Sequence, residues 1–87
     1  SKLECKQLKI NSIPMNLQDI VDEISLELKS IVSKRNIEFI PIIERSVPRV
    51  VYGDPIRFKQ ILLYFIQNAI KNTQNGSVIL ELQTEHQ

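Results

Sequence analysis

The stretch from Asp54 to Thr73 constrains the fold most, because it predicts a helix with a defined beginning, buried face and end. Asp54 is a typical N-cap residue, and Pro55 suits the first helical position, where the N–H has no partner within the helix. Apolar residues then recur at intervals of three and four, the spacing of a face that packs on a core. This predicted core face consists of Phe58, Ile61, Leu62, Phe65, Ile66, Ala69 and Ile70. Turn-forming residues at 72–76 end the helix.

One flank of this helix is polar. Four polar side chains fall in a single arc beside the core face when successive residues are placed about 100° apart. They are Arg57, Tyr64, Asn68 and Lys71, with Gln60 just outside the arc. The amide oxygen of Asn68 suits a hard cation such as Mg²⁺, which takes oxygen ligands. The same amide also suits a structural role, in which it satisfies neighbouring backbone groups, and the residues alone leave both interpretations open.

A second amphipathic helix is predicted before the first. Asn16 is its expected N-cap, with Asp19 in the capping-box position three residues later, and Asn36 is its expected left-handed C-cap. Its apolar stripe consists of Leu17, Ile20, Val21, Ile24, Leu28, Ile31 and Val32. Acidic residues come early on its polar side and basic residues come late, which complements the helix dipole. A solvated face is therefore favoured over a metal or acid–base cluster.

Short strands alternate with these helices. The predicted strands are 6–13, ended by Pro14; 37–44, with Pro41 at an edge or a break; and 77–84, with a short extended piece at 50–53. Two amphipathic helices on one face of a small sheet form a two-layer α/β sandwich of the α+β class. That is the fold class predicted from the pattern.

Composition limits the kind of partner and the location. The 87 residues carry a net charge of +1, and the Lys and Arg residues are scattered, so no nucleic-acid partner is expected. Cys5 is the only cysteine, which excludes an internal disulfide and suits a reducing, intracellular location. No apolar run approaches the roughly 20 residues that cross a membrane.

A family resemblance extends these interpretations. Residues 53–73 follow the pattern Gly-Asp-Pro-x-Arg-x-x-Gln-Ile-Leu-Leu-x-Phe-x-x-Asn-Ala-x-Lys-x-Thr, and Gly76 and Val78 come next. This pattern resembles the N-box helix of sensor histidine kinases, simple or hybrid, whose ATP-binding fold is shared with gyrase, heat-shock chaperone and mismatch-repair ATPases. Residues 1–4 resemble the end of the second helix of the dimerisation and phosphoacceptor domain. The resemblance implies a boundary between 1–5, the end of that helix, and 6–87, an incomplete ATP-binding domain.

The resemblance also implies roles for site residues. In the family, the Asn that matches Asn68 binds the Mg²⁺ of Mg-ATP, and the Lys that matches Lys71 contacts phosphate. Tyr64 stands where many members have a second Asn, and Asn72 stands where an aromatic residue often lies close to the nucleotide. The expected nucleotide-binding set is therefore Asn68, Lys71, Tyr64 and Asn72, with Asn68 as metal ligand. The two departures also support an alternative, a non-catalytic interaction module of the same fold.

The activity implied by the resemblance is a two-component phosphorelay. The parent protein would transfer the γ-phosphoryl group of ATP to a His of the phosphoacceptor domain and then to an Asp of a response regulator. The family's Asp-x-Gly-x-Gly loop, which reads adenine, and its glycine-rich lid are not found within 1–87, and His86 is not expected to be the phosphoacceptor. We therefore expect no catalytic residue, no kinase activity and little or no bound Mg-ATP in this segment alone. Its uncovered sheet edge and helix surface predict a homodimer or other self-association.

Overall fold

The computed structural model describes residues 12–85. Its elements in chain order are β1 (Ile13–Asn16), α1 (Leu17–Arg35), β2 (Ile37–Ile43), β3 (Val50–Gly53), α2 (Pro55–Lys71) and β4 (Gly76–Leu82). The predicted boundary at residue 5, all but the end of the predicted strand 6–13, and His86 lie outside the described residues. Within that part of the chain, neither helix is long and apolar enough to cross a membrane.

Both predicted caps of α1 are confirmed. The Oδ1 atom of Asn16 accepts a hydrogen bond from the backbone N–H of Asp19 at 3.1 Å. Asn36 lies in the left-handed region, with φ 56° and ψ 42°, and its N–H points to the carbonyls of Val32 and Ser33. The predicted stripe is buried at Leu17, Ile20, Val21, Ile24 and Leu28, half-buried at Val32 and more exposed at Ile31.

The predicted start of α2 is also confirmed. Asp54 Oδ1 accepts hydrogen bonds from the N–H groups of Ile56 and Arg57, both at 3.2 Å. Pro55 occupies the first turn as expected. The cap and the proline together fix where the helix begins, because they satisfy or remove amides that have no partner inside the helix.

The strands form two pairs rather than the single small sheet that was predicted. β1 pairs with β3 in antiparallel fashion, and β2 pairs with β4 in parallel fashion. Periodicity identifies strands but not their partners, since pairing depends on contacts between distant segments. Pro14 lies inside β1 opposite Tyr52 and does not end it. Pro41 lies in β2, which within residues 12–85 is paired on one side only, as its expected edge position requires.

The core lies between the two helices and the inner face of the β2–β4 pair. Strand β4 alternates as predicted: Val78 is buried and Leu80 and Leu82 are half-buried, while Ile79 is 59% exposed on the outer face. The clustered buried side chains are Met15, Leu17, Ile20, Ile24, Leu28, Ile37, Ile66, Ile70 and Val78. Residues of α1 dominate this set, so α1 is the helix that carries the centre of the core.

The predicted core face of α2 is wrong at two positions. Ile66 and Ile70 are buried, but Ile61 and Phe65 are 55% and 64% exposed. Leu63, which the pattern left off the face, is half-buried on the side that approaches α1. The packing of α1 therefore rotates the covered face of α2 away from Ile61 and Phe65, and leaves those two side chains as an exposed apolar strip.

Candidate functional site

The four predicted nucleotide-site residues lie on the exposed side of α2 or at its end. Tyr64, Asn68, Lys71 and Asn72 are all exposed. Tyr64 and Asn68 are one turn apart, and Lys71 follows nearly one turn later, so helix geometry brings these three side chains to one flank. They adjoin the exposed strip of Ile61 and Phe65. The structure thus forms an open surface that is polar at one border and apolar at the other.

The side chain of Asn68 has no hydrogen-bond partner among the described residues, although its backbone carbonyl accepts the N–H of Asn72 at 3.1 Å. The sequence left open a structural role in which the Asn68 amide satisfies nearby backbone groups. The described part of the chain does not show such a role. An unengaged amide oxygen on an exposed helix flank is available to a ligand. Mg²⁺ fits this chemistry because it is commonly held by few protein oxygens together with water and phosphate.

An aromatic pair stands beside Asn68. The rings of Tyr64 and Phe65 meet edge to face, with centroids 5.5 Å apart and planes at 77°. Both side chains are more than 60% exposed, so the pair lies on the surface and does not fill the core. Its apolar faces suit contact with a flat or apolar group, and the Tyr64 hydroxyl adds a polar end.

The remaining members of the predicted polar arc lie in two different places. Arg57 borders a cleft of about 420 Å³ between β3 and the start of α2, next to Tyr52. Gln60 borders a cleft of about 470 Å³ between the two helices, with Glu27 and Lys59. The sequence arc therefore separates into a group around Asn68 and two residues that serve other surfaces.

Lys59 is an interhelical ion-pair residue that the sequence analysis did not identify. Its Nζ atom lies 2.6 Å from Glu27 Oε1 and 3.3 Å from Glu23 Oε2. The hydrogen bond with Glu27 raises the pKa of Lys59 above its ordinary value of 10.5, although partial removal from water acts in the opposite direction. The one available signal was the spacing of Glu23 and Glu27, which places two carboxylates on the same side of α1.

The residues 12–85 contain no group of three or more His, Cys, Asp or Glu side chains that would hold a metal ion by themselves. A cation that arrives with phosphate oxygens and water needs fewer protein ligands, and the flank of Asn68 and Lys71 offers an amide oxygen and an ammonium on one side of α2.

Two curated relatives cover nearly all of the chain. The sensor histidine kinase GacS of Pseudomonas protegens is 35% identical over 89 aligned positions, which cover 100% of this chain and 10% of the relative. The signal transduction histidine-protein kinase BarA of Escherichia coli K12 is 38% identical over 78 positions, covering 90% of this chain and 8% of the relative. The chain thus spans about a tenth of the length of these relatives. No family model matches the chain.

Solved structures of histidine kinases share the fold. The catalytic domain of ThkA superposes with a TM-score of 0.70 at 27% identity, over 84% of this chain and 48% of that chain. Full-length ShkA in complex with AMPPNP gives 0.80 at 23% identity, over 88% of this chain and 16% of that chain. ThkA in complex with the response regulator TrrA gives 0.69 at 25% identity, over 85% of this chain and 23% of that chain. The predicted incomplete α/β sandwich is confirmed by these likenesses.

Proposed function

This chain is a homologue of sensor histidine kinases with the fold of part of their catalytic domain, and we propose that it supplies the magnesium- and phosphate-binding side of an ATP site. Asn68 is the proposed Mg²⁺ ligand and Lys71 the proposed phosphate contact. Tyr64 and Asn72 would border the nucleotide. The observation that carries the proposal is the exposed side-chain amide of Asn68. It has no hydrogen-bond partner in the described residues, although another face of the same helix packs on the core.

The chemistry of these groups fits Mg-ATP. Mg²⁺ prefers oxygen ligands and retains water, so a single amide oxygen completes a shell that water and phosphate oxygens otherwise fill. The Lys71 ammonium is a point charge suited to phosphate. When bound, the metal would neutralise charge on the phosphates, while Asn68 and Lys71 would orient them.

For the longer protein that contains this segment, we propose a two-component phosphorelay. The bond between the γ-phosphorus of ATP and the bridging oxygen breaks, ADP leaves, and a bond forms to a His nitrogen; the phosphoryl group then passes to an Asp of a response regulator. Positioning and charge neutralisation contribute most of the catalysis of such a transfer. Support comes from the solved relatives, of which one was bound to AMPPNP and another to a response regulator.

The experiment is a calorimetric titration of the longer protein with Mg-ATP, comparing Asn68→Asp with the matched variant Gln67→Glu. The first substitution replaces the neutral amide of the proposed Mg²⁺ ligand by a negative charge beside the phosphates and is expected to abolish Mg-ATP binding. The second adds the same charge one residue away, about 100° around the helix, and is expected to preserve it. Unchanged binding in Asn68→Asp would refute the role of Asn68. Residues 1–87 alone are expected to bind weakly or not at all, and micromolar affinity would contradict that expectation.

A second candidate function is a non-catalytic interaction module of the same fold. The exposed Tyr64–Phe65 pair beside Ile61 favours it, because such an apolar surface suits a protein partner as well as a nucleotide. In that case the wild-type protein shows no Mg-ATP binding, and the Asn68→Asp substitution changes nothing. The same titration thus distinguishes the two functions.

Self-association is a further part of the proposal. Strand β4 pairs only with β2 among the described residues, so its other edge offers unpaired backbone groups. The strip of Ile61 and Phe65 adds apolar surface on α2. Pairing of two copies through these features would bury both.

A further inference from the structure

The ends of the two helices are joined by one hydrogen bond. The Nη2 atom of Arg35, the last residue of α1, donates to the backbone carbonyl of Thr73 at 2.9 Å. Thr73 follows the C-terminal end of α2 by two residues, and 38 positions separate the two partners in the chain.

This contact is placed where α2 lacks the usual helix ending. Asn72 has φ −93° and ψ 1°, outside the left-handed conformation in which many helices end. The last turn is closed instead by the Thr73 hydroxyl, which donates to the Ala69 carbonyl at 2.7 Å, and by the Thr73 N–H, which donates to Ile70 at 3.2 Å. Thr73 therefore closes the last turn of α2 through its own hydroxyl and N–H, and Arg35 of α1 donates a hydrogen bond to the Thr73 carbonyl.

The same loop is held at its other end. Residue Ile37, at the start of β2, pairs with Gly76, at the start of β4. Asn36 lies between Arg35 and Ile37 in the left-handed conformation and fixes their relative direction. The segment 35–37 consequently contacts the α2–β4 loop at Thr73 and at Gly76, and loop residues 74 and 75 lie between these two contacts.

We propose that Arg35 is a positioning residue for the nucleotide end of α2. By holding Thr73, it fixes the last turn of α2 and the loop after it, and so sets the positions of Lys71 and Asn72 relative to a phosphate-bearing ligand. The proposal rests on the proposed nucleotide site. It assigns no direct contact with the nucleotide to Arg35, which acts through the backbone.

Three variants separate the effect of the Arg35 hydrogen bond from the effect of its charge. Arg35→Gln removes the charged donor, and Lys34→Gln removes the same charge from the neighbouring residue, whose side chain has no hydrogen bond or ion pair within residues 12–85. Arg35→Lys retains the charge but loses the planar guanidinium fork. Both side chains at 34 and 35 are exposed, so all three variants are expected to fold, and thermal melts verify this.

The first readout is amide hydrogen exchange in residues 1–87, which needs no nucleotide. Arg35→Gln is expected to accelerate exchange of the amides at 72–76 by about tenfold, while the core of α1 keeps its wild-type rates. Arg35→Lys is expected to give an intermediate rate and Lys34→Gln the wild-type rate. Equal exchange in wild type and Arg35→Gln would overturn the proposal.

The second readout is Mg-ATP binding and turnover by the longer protein. Arg35→Gln is expected to raise the KM for ATP about three- to tenfold with kcat little changed. Arg35→Lys should raise the KM less than Arg35→Gln does, and Lys34→Gln should leave it unchanged. An equal rise in KM in Arg35→Gln and Lys34→Gln would show that Arg35 acts only through its charge, and would overturn the proposal. If wild type binds Mg-ATP and Arg35→Gln binds it equally well, the positioning role of Arg35 is refuted while the proposed nucleotide site stands. If wild type does not bind Mg-ATP, the proposed function is refuted as well.

Discussion

Lys59 in α2 lies 2.6 Å from Glu27 in α1, and this ion pair spans the cleft between the two helices. Glu23, one turn earlier on α1, lies 3.3 Å from the same ammonium. One cation of α2 thus engages two carboxylates of α1 at the border of the core. The ion pair lies on the side of α2 that faces α1, where Leu63 is also half-buried, while Ile61 and Phe65 are exposed elsewhere on the helix.

A pH dependence follows from this pair. The hydrogen bond with Glu27 raises the pKa of Lys59 in the folded chain above 10.5, so the charged ammonium stabilises the fold. The stabilisation is complete below pH 10.5 and is lost as the pH rises through the higher pKa of the folded state. Lys59→Gln should therefore be less stable than wild type at neutral pH, and the difference should vanish at strongly alkaline pH. Denaturant unfolding of both chains across this range measures it; a difference independent of pH would contradict the assignment, and Lys34→Gln is the control.

The two glycines should respond differently to substitution by alanine. Gly76 has φ +118°, a conformation that side chains rarely adopt, so Gly76→Ala is expected to cost ~1–3 kcal/mol even though open space surrounds the position. At Gly53 an added Cβ would lie 2.9 Å from the flexible end of Met15, which is able to move aside. Gly53→Ala should thus be the milder change. Chemical denaturation of both variants tests the order, and a reversed order would contradict it.

The position of the core predicts a further contrast within α1. Ile24 is fully buried and Leu26 is 73% exposed. Ile24→Ala should reduce the free energy of unfolding by ~2–5 kcal/mol, because it removes buried methyl groups and leaves a cavity. Leu26→Ala lies on the same helix and should change stability by less than ~0.5 kcal/mol. Equal effects in thermal or denaturant melts would show that α1 does not carry the core.

What the sequence predicted correctly depends on local physics. The caps at Asn16, Asn36 and Asp54 are interactions between residues close in the chain, and the α1 stripe follows because one helix face meets one core. The rotation of α2 was missed because it depends on how α2 packs against α1, which the spacing of residues within either helix does not encode. Pairing of the strands in two sheets was missed for the same reason.

The same distinction between local and long-range contacts applies to the candidate site. Helical spacing predicted that Asn68 and Lys71 share one polar flank of the helix, and in the structure both residues are exposed. The contact of Arg35 with Thr73 had no signal in the sequence, since 38 residues separate the partners and the motif that contains Thr73 does not include Arg35. Roles toward Mg-ATP come from family resemblance, because no spacing of residues distinguishes an amide that binds a metal from one that faces water.

Tyr64 offers a test of the nucleotide site itself. Many histidine kinases have an Asn at the matching position, so Tyr64→Asn in the longer protein should strengthen Mg-ATP binding about two- to tenfold through an added polar contact. The control is Tyr64→Phe, which removes the hydroxyl but retains a ring to pack on Phe65, and it should not strengthen binding. Weaker binding in both variants would show that the phenol itself contacts the nucleotide. Calorimetric titration gives the affinities.

Self-association of residues 1–87 should depend on one side of α2. Ile61→Glu places a charge in the exposed strip and should shift the chain toward monomer in light scattering, because a charged group opposes burial of that surface. Ile56→Glu is the matched control: Ile56 is 70% exposed but borders the cleft between the helices, away from the strip, so association should persist. If both variants and wild type are monomeric and unfold cooperatively, the strip and the free edge of β4 do not pair copies of the chain. If both variants lose association equally, added negative charge and not the strip is responsible.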